Sequence, residues 1–390
     1  MAHDVSILFG ALTALSVTLY LLCTALFAMG SRRAILPDAP PSRRPMLDAA
    51  PGVSILKPCA GADDDLESCL RSFCALRYPR FEILCGIRDD NDAALAVLER
   101  VRDAHPHVDF RIVRTAAGRS VNPKVAQLEV LERAARYETV WISDSNTRVH
   151  PDTLASMVRD LAKPGVGMVL SPVVGAGEKS LGAALDNLHI SSFITFATYS
   201  VKMLSGRIVA PGKSTLLRKR SLRAIGGFEE LGNYCAEDYV LIERLRANGE
   251  AVVIGEHLVT NVNVAGDVKK FYRRHFRWAQ MHWLLEWGTA LEPLLLPSLF
   301  AAAWFCVAPS FATLTAFAWV MALQMMVDSY VLARLRGRGL AKRYLGALVV
   351  RPFVFAWLWV RSPFARKVVW RGNVRWLGAE TRLLETRRAA

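Results

Sequence analysis

The stretch VSILKPCAGADDDLESCLRSFCALRYPRFEIL, residues 53–84, contains two short apolar runs on either side of a helical pattern. The runs cover residues 53–56 and 81–84. Between them, apolar side chains recur at helical spacing, at Leu66, Leu70, Phe73 and Leu76. A strand, a helix and a second strand in this order form a βαβ unit, whose two strands lie parallel in one sheet.

The same alternation of strands and helices continues to residue 263. Further strand-like runs lie at 110–113 and 140–143. The pair Asn122-Pro123 is typical of a helix start, because proline fits the first helical position. The sequence therefore predicts an α/β fold with a parallel sheet. Ligands of such sheets bind beyond the carboxyl ends of the strands, so polar residues that follow strands are the first candidates for a site.

Polar residues follow three of the predicted strands. Lys57 follows the first strand, Asp89 begins the run 89–92 after the second, and Asp144 follows the fourth. Acids after strands are also common turn residues, but their recurrence at successive strand ends favours one shared crevice. A carboxylate at Asp144 can hold Mg²⁺ or Mn²⁺ with the help of diphosphate oxygens, and the alternative is an Asx turn.

Asp238 lies beside Glu237 at the start of a predicted helix, residues 236–248. Acids in a first helical turn are favoured by the helix dipole, which explains them without any function. A carboxylate beside a cleft can equally act as a general base. The pattern of residues leaves both interpretations open.

The segment 271–287 is rich in Arg and Trp. Arg274 and Arg277 are three residues apart, so they share one face of a helix. Two guanidiniums on one face suit the oxygens of a diphosphate, and Trp278 beside them suits a sugar face or an apolar wall. The alternative is an interfacial helix whose Arg side chains reach lipid headgroups. The segment precedes an apolar stretch, so the two interpretations are compatible.

Several classes of function are excluded. The segment 211–214 reads PGKS, but a phosphate-binding loop needs a glycine five residues before Gly212, and position 207 is Arg. The net charge of +14 is concentrated in residues 331–390, which contain 14 Lys or Arg and two acids. A nucleic-acid-binding protein would carry such a patch on its folded domain, so no nucleic-acid partner is expected. The seven Cys show no zinc-binding spacing.

Long apolar segments predict an integral membrane protein. Residues 5–30 contain no charged residue and are long enough to cross a bilayer. The 35 uncharged residues 293–327 suit a helical hairpin that turns near Pro309. Basic residues follow both segments, which predicts that the α/β domain between them is cytoplasmic. The excess of 38 Arg over 11 Lys is typical of GC-rich genomes, and favours the inner membrane of a bacterium.

The predicted organisation has five segments. They are an N-terminal transmembrane helix at 1–30, a linker at 31–50, a cytoplasmic catalytic domain at 51–287, a transmembrane hairpin at 288–333, and a basic cytoplasmic tail at 334–390. Within the tail, Arg351 and Pro352 interrupt the apolar residues 344–360. A charge at that depth is costly in lipid, so this part is predicted to be interfacial or re-entrant.

Taken together, these segments resemble the ceramide glucosyltransferase family of membrane-bound GT-A glycosyltransferases. The resemblance covers about residues 50–285 and is weaker through the tail. Its motifs are Val53–Pro58, Arg88–Asp92, Val121–Lys124, Trp141–Ser145, Ala236–Tyr239, Arg274–Trp278 and Trp370–Gly372. One departure is that the Asp-x-Asp of many relatives reads Asp144-Ser145-Asn146 here, without the second carboxylate.

The resemblance implies a GT-A catalytic domain that moves a hexose, with inversion, from a UDP-sugar to a lipid hydroxyl. The acceptor would be ceramide, with diacylglycerol or a hopanoid as alternatives. Asp238 would be the catalytic base, and Asp144 would bind Mg²⁺ or Mn²⁺ on the diphosphate. The other donor-binding residues would be Lys57, Asp89, Lys124, Arg274, Arg277 and Trp278.

Two other functions are compatible with parts of the pattern. A processive polysaccharide synthase shares the Arg-Trp motif, but predicts more spanning helices than this chain offers. A non-catalytic membrane protein that binds nucleotide sugars or lipids predicts binding without turnover. A non-catalytic function of this kind does not explain why the chain has the three acids Asp89, Asp144 and Asp238 at these positions.

Overall fold

The computed structural model describes residues 2–41, 50–62, 64–370 and 373–385. Its strands are β1 Val53–Pro58, β2 Phe81–Ile87, β3 Phe110–Arg114, β4 Thr139–Ser143, β5 Thr147–Arg148, β6 Val166–Leu170, β7 Val173–Ala176, β8 Ser214–Arg218, β9 Ala251–Ile254, β10 Val259–Val262, β11 Lys367–Trp370, β12 Asn373–Leu377 and β13 Leu383–Leu384.

Helices surround these strands and extend beyond them. The α-helices are α1 Ala2–Gly30, α2 Leu66–Cys74, α3 Ala94–Ala104, α4 Pro123–Ala134, α5 Thr153–Leu161, α6 Leu181–His189, α7 Phe196–Ser205, α8 Lys219–Ala224, α9 Gly227–Leu231, α10 Glu237–Ala247, α11 Val268–Leu285, α12 Pro297–Val307, α13 Phe311–Arg336 and α14 Gly346–Arg361. A π-helical stretch, Ile190–Thr195, joins α6 to α7.

The central sheet contains the strands that the sequence predicts. It has seven strands in the order β3-β2-β1-β4-β8-β6-β9. Strands β1 to β4 are parallel neighbours, whereas β8 runs antiparallel to both β4 and β6. The sheet is therefore mixed, and the prediction of a parallel sheet holds for its first four strands.

Two apolar cores cover the two faces of this sheet. One contains Trp141 and Phe73, whose ring centroids lie 5.1 Å apart. Because successive side chains of a strand point to opposite faces, Ile55 belongs to this core and Leu56 to the other. Burial on both faces explains why β1 and β4 are continuous apolar runs in the sequence.

The C-terminal segment returns to the α/β domain. Strands β11, β12 and β13 form a separate small sheet. The Leu383 amide donates to the Asn233 carbonyl at 2.7 Å, and the Cys235 amide donates to the Thr381 carbonyl at 2.9 Å. The predicted tail therefore packs beside the start of α10. The motif at 370–372 lies largely outside the described residues, as do the linker residues 42–49.

Three helical stretches of the described chain are long and apolar enough to cross a membrane. They are His3–Gly30, Phe311–Arg336 and Lys342–Phe364. Ser310 caps the N-terminus of α13, so the predicted turn near Pro309 is present. The third stretch contains the segment predicted to be interfacial or re-entrant.

The first half of the predicted hairpin differs from a straight helix. The stretches Gly288–Leu295 and Pro297–Val307 are bent by 74° relative to each other. Leu296 between them has non-helical angles, φ −128° and ψ 68°. A residue that precedes proline avoids the α conformation, because the proline ring clashes with its backbone. Pro297 therefore breaks this half of the hairpin.

A buried ion pair joins three of the apolar helices. The Arg351 guanidinium of α14 donates to Asp328 Oδ2 of α13 at 2.7 Å, and the Tyr20 hydroxyl of α1 donates to Asp328 Oδ1 at 3.1 Å. The side chains of Arg351 and Asp328 are 1% and 0% exposed. The charge that interrupts residues 344–360 is therefore neutralised inside the helical bundle.

Replacement of Asp328 by Leu is expected to destabilise the protein by about 3–5 kcal/mol, because Arg351 would stay buried without its counterion. Thermal unfolding of the detergent-solubilised protein measures the loss. The double variant Asp328→Leu/Arg351→Met removes both charges and is expected to recover most of it. A single variant that unfolds at the wild-type temperature would contradict a stabilising role for the pair.

Candidate active site

Asp144 is the centre of a partly buried cluster of charges at the carboxyl end of β4. Its Oδ2 atom lies 2.6 Å from Lys213 Nζ, and its Oδ1 atom lies 3.0 Å from Lys124 Nζ. Burial opposes ionisation of this carboxyl, but the two ammonium groups hold the pKa of Asp144 well below its usual range. Asp144 is therefore an anion held between two cations.

Lys124 connects Asp144 to the start of α10. Its Nζ atom lies 2.9 Å from Glu237 Oε1. Although burial opposes its charge, Asp144 and Glu237 raise the pKa of Lys124 above its usual range. Burial raises the pKa of Glu237 in spite of Lys124. An acid at the end of a strand, Asp144, and an acid at the start of a helix, Glu237, thus share one cation.

Asn122 positions Lys124 at the first turn of α4. Its side-chain oxygen accepts hydrogen bonds from the amides of Lys124 and Val125, which satisfies the free N–H groups at the helix start. Its Nδ2 donates to Glu237 Oε2 at 3.2 Å and to the Tyr234 carbonyl at 2.9 Å. The predicted Asn-Pro helix start is present and also joins α4 to α10.

Asp238 lies one residue further along α10. Its Oδ2 accepts a hydrogen bond from the Gly212 amide at 2.7 Å, and its Oδ1 accepts one from the Tyr239 amide at 2.9 Å. A Cβ atom at position 212 would lie 2.4 Å from Asp238 Cβ. Position 212 therefore has to be glycine for the backbone to approach this carboxylate.

Lys213 and Gly212 are the site residues that the sequence analysis missed. They lie in the PGKS segment that fails the phosphate-loop pattern, yet Gly212 contacts Asp238 and Lys213 contacts Asp144. The antiparallel pairing of β8 with β4 aligns Ser214 with Ser143, and this pairing places Lys213 beside Asp144. Only the tertiary pairing reveals it, because the two residues are far apart in sequence.

Lys57 lies underneath this cluster. Its Nζ donates to the Asp144 carbonyl at 2.9 Å and lies 3.7 Å from the centroid of the Phe73 ring. The residue is fully buried, and burial lowers the pKa of its ammonium group. In this structure Lys57 supports the backbone of Asp144 and presents no surface to a donor.

Asp89 lies at the same edge of the sheet but outside the cluster. It follows β2, is exposed, and its Oδ1 accepts a hydrogen bond from the Asn91 amide at 2.9 Å. Since β1 lies between β2 and β4, about 10 Å of sheet separates the two strand ends. That distance is compatible with contacts to different parts of one extended ligand.

Arg274 is held by protein groups. Its Nη1 donates to Asp186 Oδ2 at 2.6 Å and to Asn263 Oδ1 at 2.8 Å, while His275 Nε2 lies 2.8 Å from Asp186 Oδ1. Burial opposes the charge on Asp186, but Arg274 and His275 keep its pKa below the usual range. In this structure the first Arg of the motif joins α11 to α6.

Arg277 and Trp278, the other two residues of the motif, have different surroundings. Cys235 directly precedes Ala236 and the acids of α10. Burial raises the pKa of the Cys235 thiol to about 12, although the nearby charge of Arg277 acts to lower it. The Trp278 ring stands edge-on to the His275 ring, with centroids 5.0 Å apart. Arg277 therefore lies close enough to the start of α10 for its charge to act there.

The acids at this site could hold a metal ion only if a bound ligand supplied further oxygen atoms. The described residues contain no group of three or more His, Cys, Asp or Glu side chains that could hold an ion. Mg²⁺ is commonly bound by one or two carboxylates together with substrate phosphates. Asp144 fits that pattern, with the diphosphate of a donor supplying the other oxygens.

Comparison with known proteins identifies the family. The chain matches glycosyl transferase family 21 over residues 10–383. Ceramide glucosyltransferase 1 of Caenorhabditis elegans is 26% identical over 339 residues, which are 83% of this chain and 71% of that protein. The ceramide glucosyltransferase of Komagataella phaffii is 36% identical over 124 residues, 30% of this chain and 24% of that protein.

The fold has a solved counterpart. A mannosyltransferase from Pyrobaculum calidifontis, in complex with GDP-Man and Mn²⁺, superposes with a TM-score of 0.51 at 18% identity. The superposition covers 88% of this chain and 99% of the other. It confirms the predicted α/β fold of GT-A type for the catalytic domain. Together with the match over residues 10–383, these findings show that the chain belongs to glycosyl transferase family 21, the family of the ceramide glucosyltransferases.

Proposed function

We propose that this glycosyltransferase moves a hexose, with inversion, from a UDP-sugar to the hydroxyl of a membrane lipid, and that glucose and ceramide are its substrates. The observation that carries the proposal is the pair of contacts made by Gly212 and Lys213. They join Asp238 to Asp144 through adjacent residues. A general base and a diphosphate-binding acid therefore lie side by side.

Asp238 is the proposed catalytic base. The two amide hydrogen bonds that it accepts fix its carboxylate at the first turn of α10 and leave lone pairs on both oxygens. A carboxylate held in this way can take the proton from an acceptor hydroxyl as that hydroxyl attacks the sugar. Attack opposite the departing UDP gives inversion.

Cations of the site would stabilise the negative charge that develops on departing UDP. Lys124 and Lys213 lie within 3.0 Å of Asp144, and Arg277 acts on the start of α10. Cations already fixed in place stabilise developing charge with little reorganisation. Lys57 would support Asp144 from below, and Asp89 would hold the uridine or ribose.

A divalent ion, Mg²⁺ or Mn²⁺, would be held by Asp144 and the donor diphosphate and would stabilise the charge on the phosphate oxygens. Chelation with EDTA is therefore expected to lower transfer by at least about tenfold, because stabilisation by a metal is worth several kcal/mol. Added Mg²⁺ or Mn²⁺ should restore the rate. Full activity of thoroughly chelated enzyme would reject the metal and would mean that the lysines alone neutralise the charge on UDP.

The apolar helices would hold the catalytic domain at the cytoplasmic face of the membrane. The end of α1 is tied to this domain, because the Ile35 amide donates to the Glu256 carbonyl at 2.8 Å. The end of α13 is tied to it by Arg336, which lies 2.5 Å from Glu178. The chain after α14 returns to it at Leu383. The end of α14 contacts α11, because Arg361 Nη1 donates to the Tyr272 hydroxyl at 3.1 Å. A continuous helix with both ends near this domain supports an interfacial path for α14.

Single cysteines at three exposed positions test this topology. The natural cysteines are first replaced, and Cys is then introduced at Arg33, Pro309 or Glu385. With a membrane-impermeant thiol reagent on intact cells, only position 309 is expected to react, because the N-terminus and this turn alone would face outward. Labelling at position 385 would mean that α14 crosses the membrane fully.

A second candidate is a processive synthase. The chain is 22% identical over 230 residues to the poly-β-1,6-N-acetyl-D-glucosamine synthase of Staphylococcus epidermidis, 59% of this chain and 54% of that protein. This similarity favours including UDP-N-acetylglucosamine among the donors. A synthase would yield a polymer, whereas a lipid transferase yields a lipid with one sugar.

A matrix of donors and acceptors tests the proposal. Purified protein in detergent is given UDP-glucose, UDP-galactose or UDP-N-acetylglucosamine with ceramide, diacylglycerol or a hopanoid, and the lipids are analysed by mass spectrometry. We expect a monoglycosylated lipid, formed fastest from UDP-glucose and ceramide. Polymer formation, or donor binding without any glycolipid, would reject the proposal.

A further inference from the structure

A cavity of about 790 Å³ lies beside the active site, outside the Asp144 cluster. Its walls are the loops that follow β1, β5, β7 and β10, the first turns of α11, and the residues just after α13. The lining includes five cations, Arg148, Lys179, Lys270, Arg273 and Arg338, and three acids, Asp64, Asp65 and Asp267. Its volume lies within the range of small-molecule sites, about 300–1,000 Å³.

Protein partners satisfy only part of this charge. Lys270 Nζ lies 3.3 Å from Asp64 Oδ2, and Asp267 caps α11 by accepting a hydrogen bond from the Lys270 amide. In the part of the chain that the structure describes, Lys179, Arg273 and Arg338 have no ion pair. These three cations outnumber the two lining acids that also lack an ion pair among the described residues, Asp65 and Asp267, so the cavity carries a net positive charge.

Glu178, the acid that directly precedes Lys179, forms an ion pair outside the cavity lining. Glu178 lies between two lining residues, Gly177 and Lys179, but its Oε1 atom is 2.5 Å from Arg336 Nη2. Both side chains of this pair are buried, at 7% and 4% exposure. Glu178 thus stabilises the end of α13 and does not offset the positive cavity.

The cavity lies beside the end of a candidate membrane span. Arg338 follows directly after α13, which is a candidate membrane span. Gly337, with φ of 71°, ends that helix. A cytoplasmic leaflet carries anionic lipids, and basic residues close to its surface attract them. Guanidinium and ammonium groups bind phosphate oxygens through charge-assisted hydrogen bonds.

We propose that this cavity is a binding site for a phosphate group, and that the phosphate is the headgroup of an anionic membrane phospholipid. The residues proposed to bind the donor and Asp238 do not line this cavity, so the inference does not depend on the proposed transfer reaction. Neither Asp144 nor Asp238 lines the cavity.

The cavity wall also contacts the active site. The Val262 amide, in a residue of the wall, donates to the Asn146 carbonyl at 2.8 Å, and Asn146 Nδ2 donates to the Val262 carbonyl at 3.0 Å. Asn146 ends the turn that begins at Asp144. A bound lipid would therefore fix the strand that supports this turn.

Native mass spectrometry of the full-length protein, loaded with phosphatidylglycerol or phosphatidylcholine, tests the site. The variant Arg273→Gln/Arg338→Gln removes two lining cations. The variant Lys342→Gln/Arg343→Gln is the matched control, because it removes two exposed cations from the same region that do not line the cavity. Each basic residue near an anionic surface contributes about fivefold in affinity, so we expect the cavity variant, which lacks two, to retain phosphatidylglycerol about 30-fold less than the wild type and the control.

Soluble competitors distinguish the source of the phosphate. Millimolar inorganic phosphate or UDP is not expected to displace phosphatidylglycerol from the wild type. Displacement by either one would overturn the lipid assignment. Equal retention by the cavity and control variants, or equal retention of phosphatidylcholine, would overturn the site itself. If the double variant does not fold, Arg338→Glu, a change at one exposed residue, is tested in the same way with the same expected loss.

Discussion

Replacement of Asp238 by Asn is expected to lower the rate of transfer by about 10²–10⁴-fold, the usual contribution of a general base. The amide keeps the size of the side chain but cannot accept a proton from the acceptor. Donor binding should change little, because Asp144, Lys124 and Lys213 remain. The comparison requires the turnover rate and, by calorimetry, the dissociation constant for the UDP-sugar.

Glu243→Gln is the matched control for Asp238→Asn. It makes the same chemical change in the same helix, at an acid that pairs with Arg246 at 3.3 Å and does not contact the site. We expect this control to keep the wild-type rate. An Asp238→Asn enzyme that retains more than about a tenth of that rate, far above the loss expected for a base, would show that another group takes the proton.

Replacement of Asp144 by Asn is expected to reduce kcat/KM by about 10²–10³-fold, as loss of a group that organises charge at a reacting centre typically does. The change removes the anion between Lys124 and Lys213, and leaves two cations facing each other. It also removes the one carboxylate proposed to hold the metal. Unlike Asp238→Asn, this variant should bind the UDP-sugar more weakly as well.

Asp160→Asn is the control for this second substitution. Asp160 pairs with the exposed Lys163 at 2.6 Å at the end of α5 and does not contact the site, so its loss should leave kcat/KM unchanged. The added Mn²⁺ concentration required for half-maximal activity should rise in Asp144→Asn alone. A normal kcat/KM for Asp144→Asn would remove this residue from the donor site.

Local patterns predict the first half of the catalytic fold well. Strands β1 to β4 are apolar runs buried on both faces, and the helix start at Asn122 has its own chemical signature. These signals need only neighbouring residues, so the sequence contains them in full. The antiparallel pairing of β8 is different, because nothing near Ser214 indicates that it pairs with Ser143.

The same contrast between local patterns and long-range pairing explains which site residues the sequence predicts. Asp144, Lys124 and Asp238 are brought together as the motifs predict. Lys213 was not predicted, because its contact depends on the pairing of β8 with β4. The full burial of Lys57 likewise depends on packing against Phe73.

The apolar helices show a third limit of sequence patterns. Hydropathy predicts that the segment before Pro309 enters the membrane, but the bend at Leu296 depends on a single proline. Hydropathy also treats Arg351 as an interruption. Its partner Asp328 lies in another helix, and the pair makes burial of both charges acceptable.

The most direct test of the central claim is the NMR spectrum of the lipid product. Wild-type protein in lipid nanodiscs is incubated with ceramide and UDP-glucose, in which the sugar is α-linked, and the anomeric proton of the glycolipid is examined. The account predicts a single glucose in β linkage to the lipid hydroxyl, formed by the wild type and not by Asp238→Asn. An α-linked product, or free glucose without glycolipid, would contradict it.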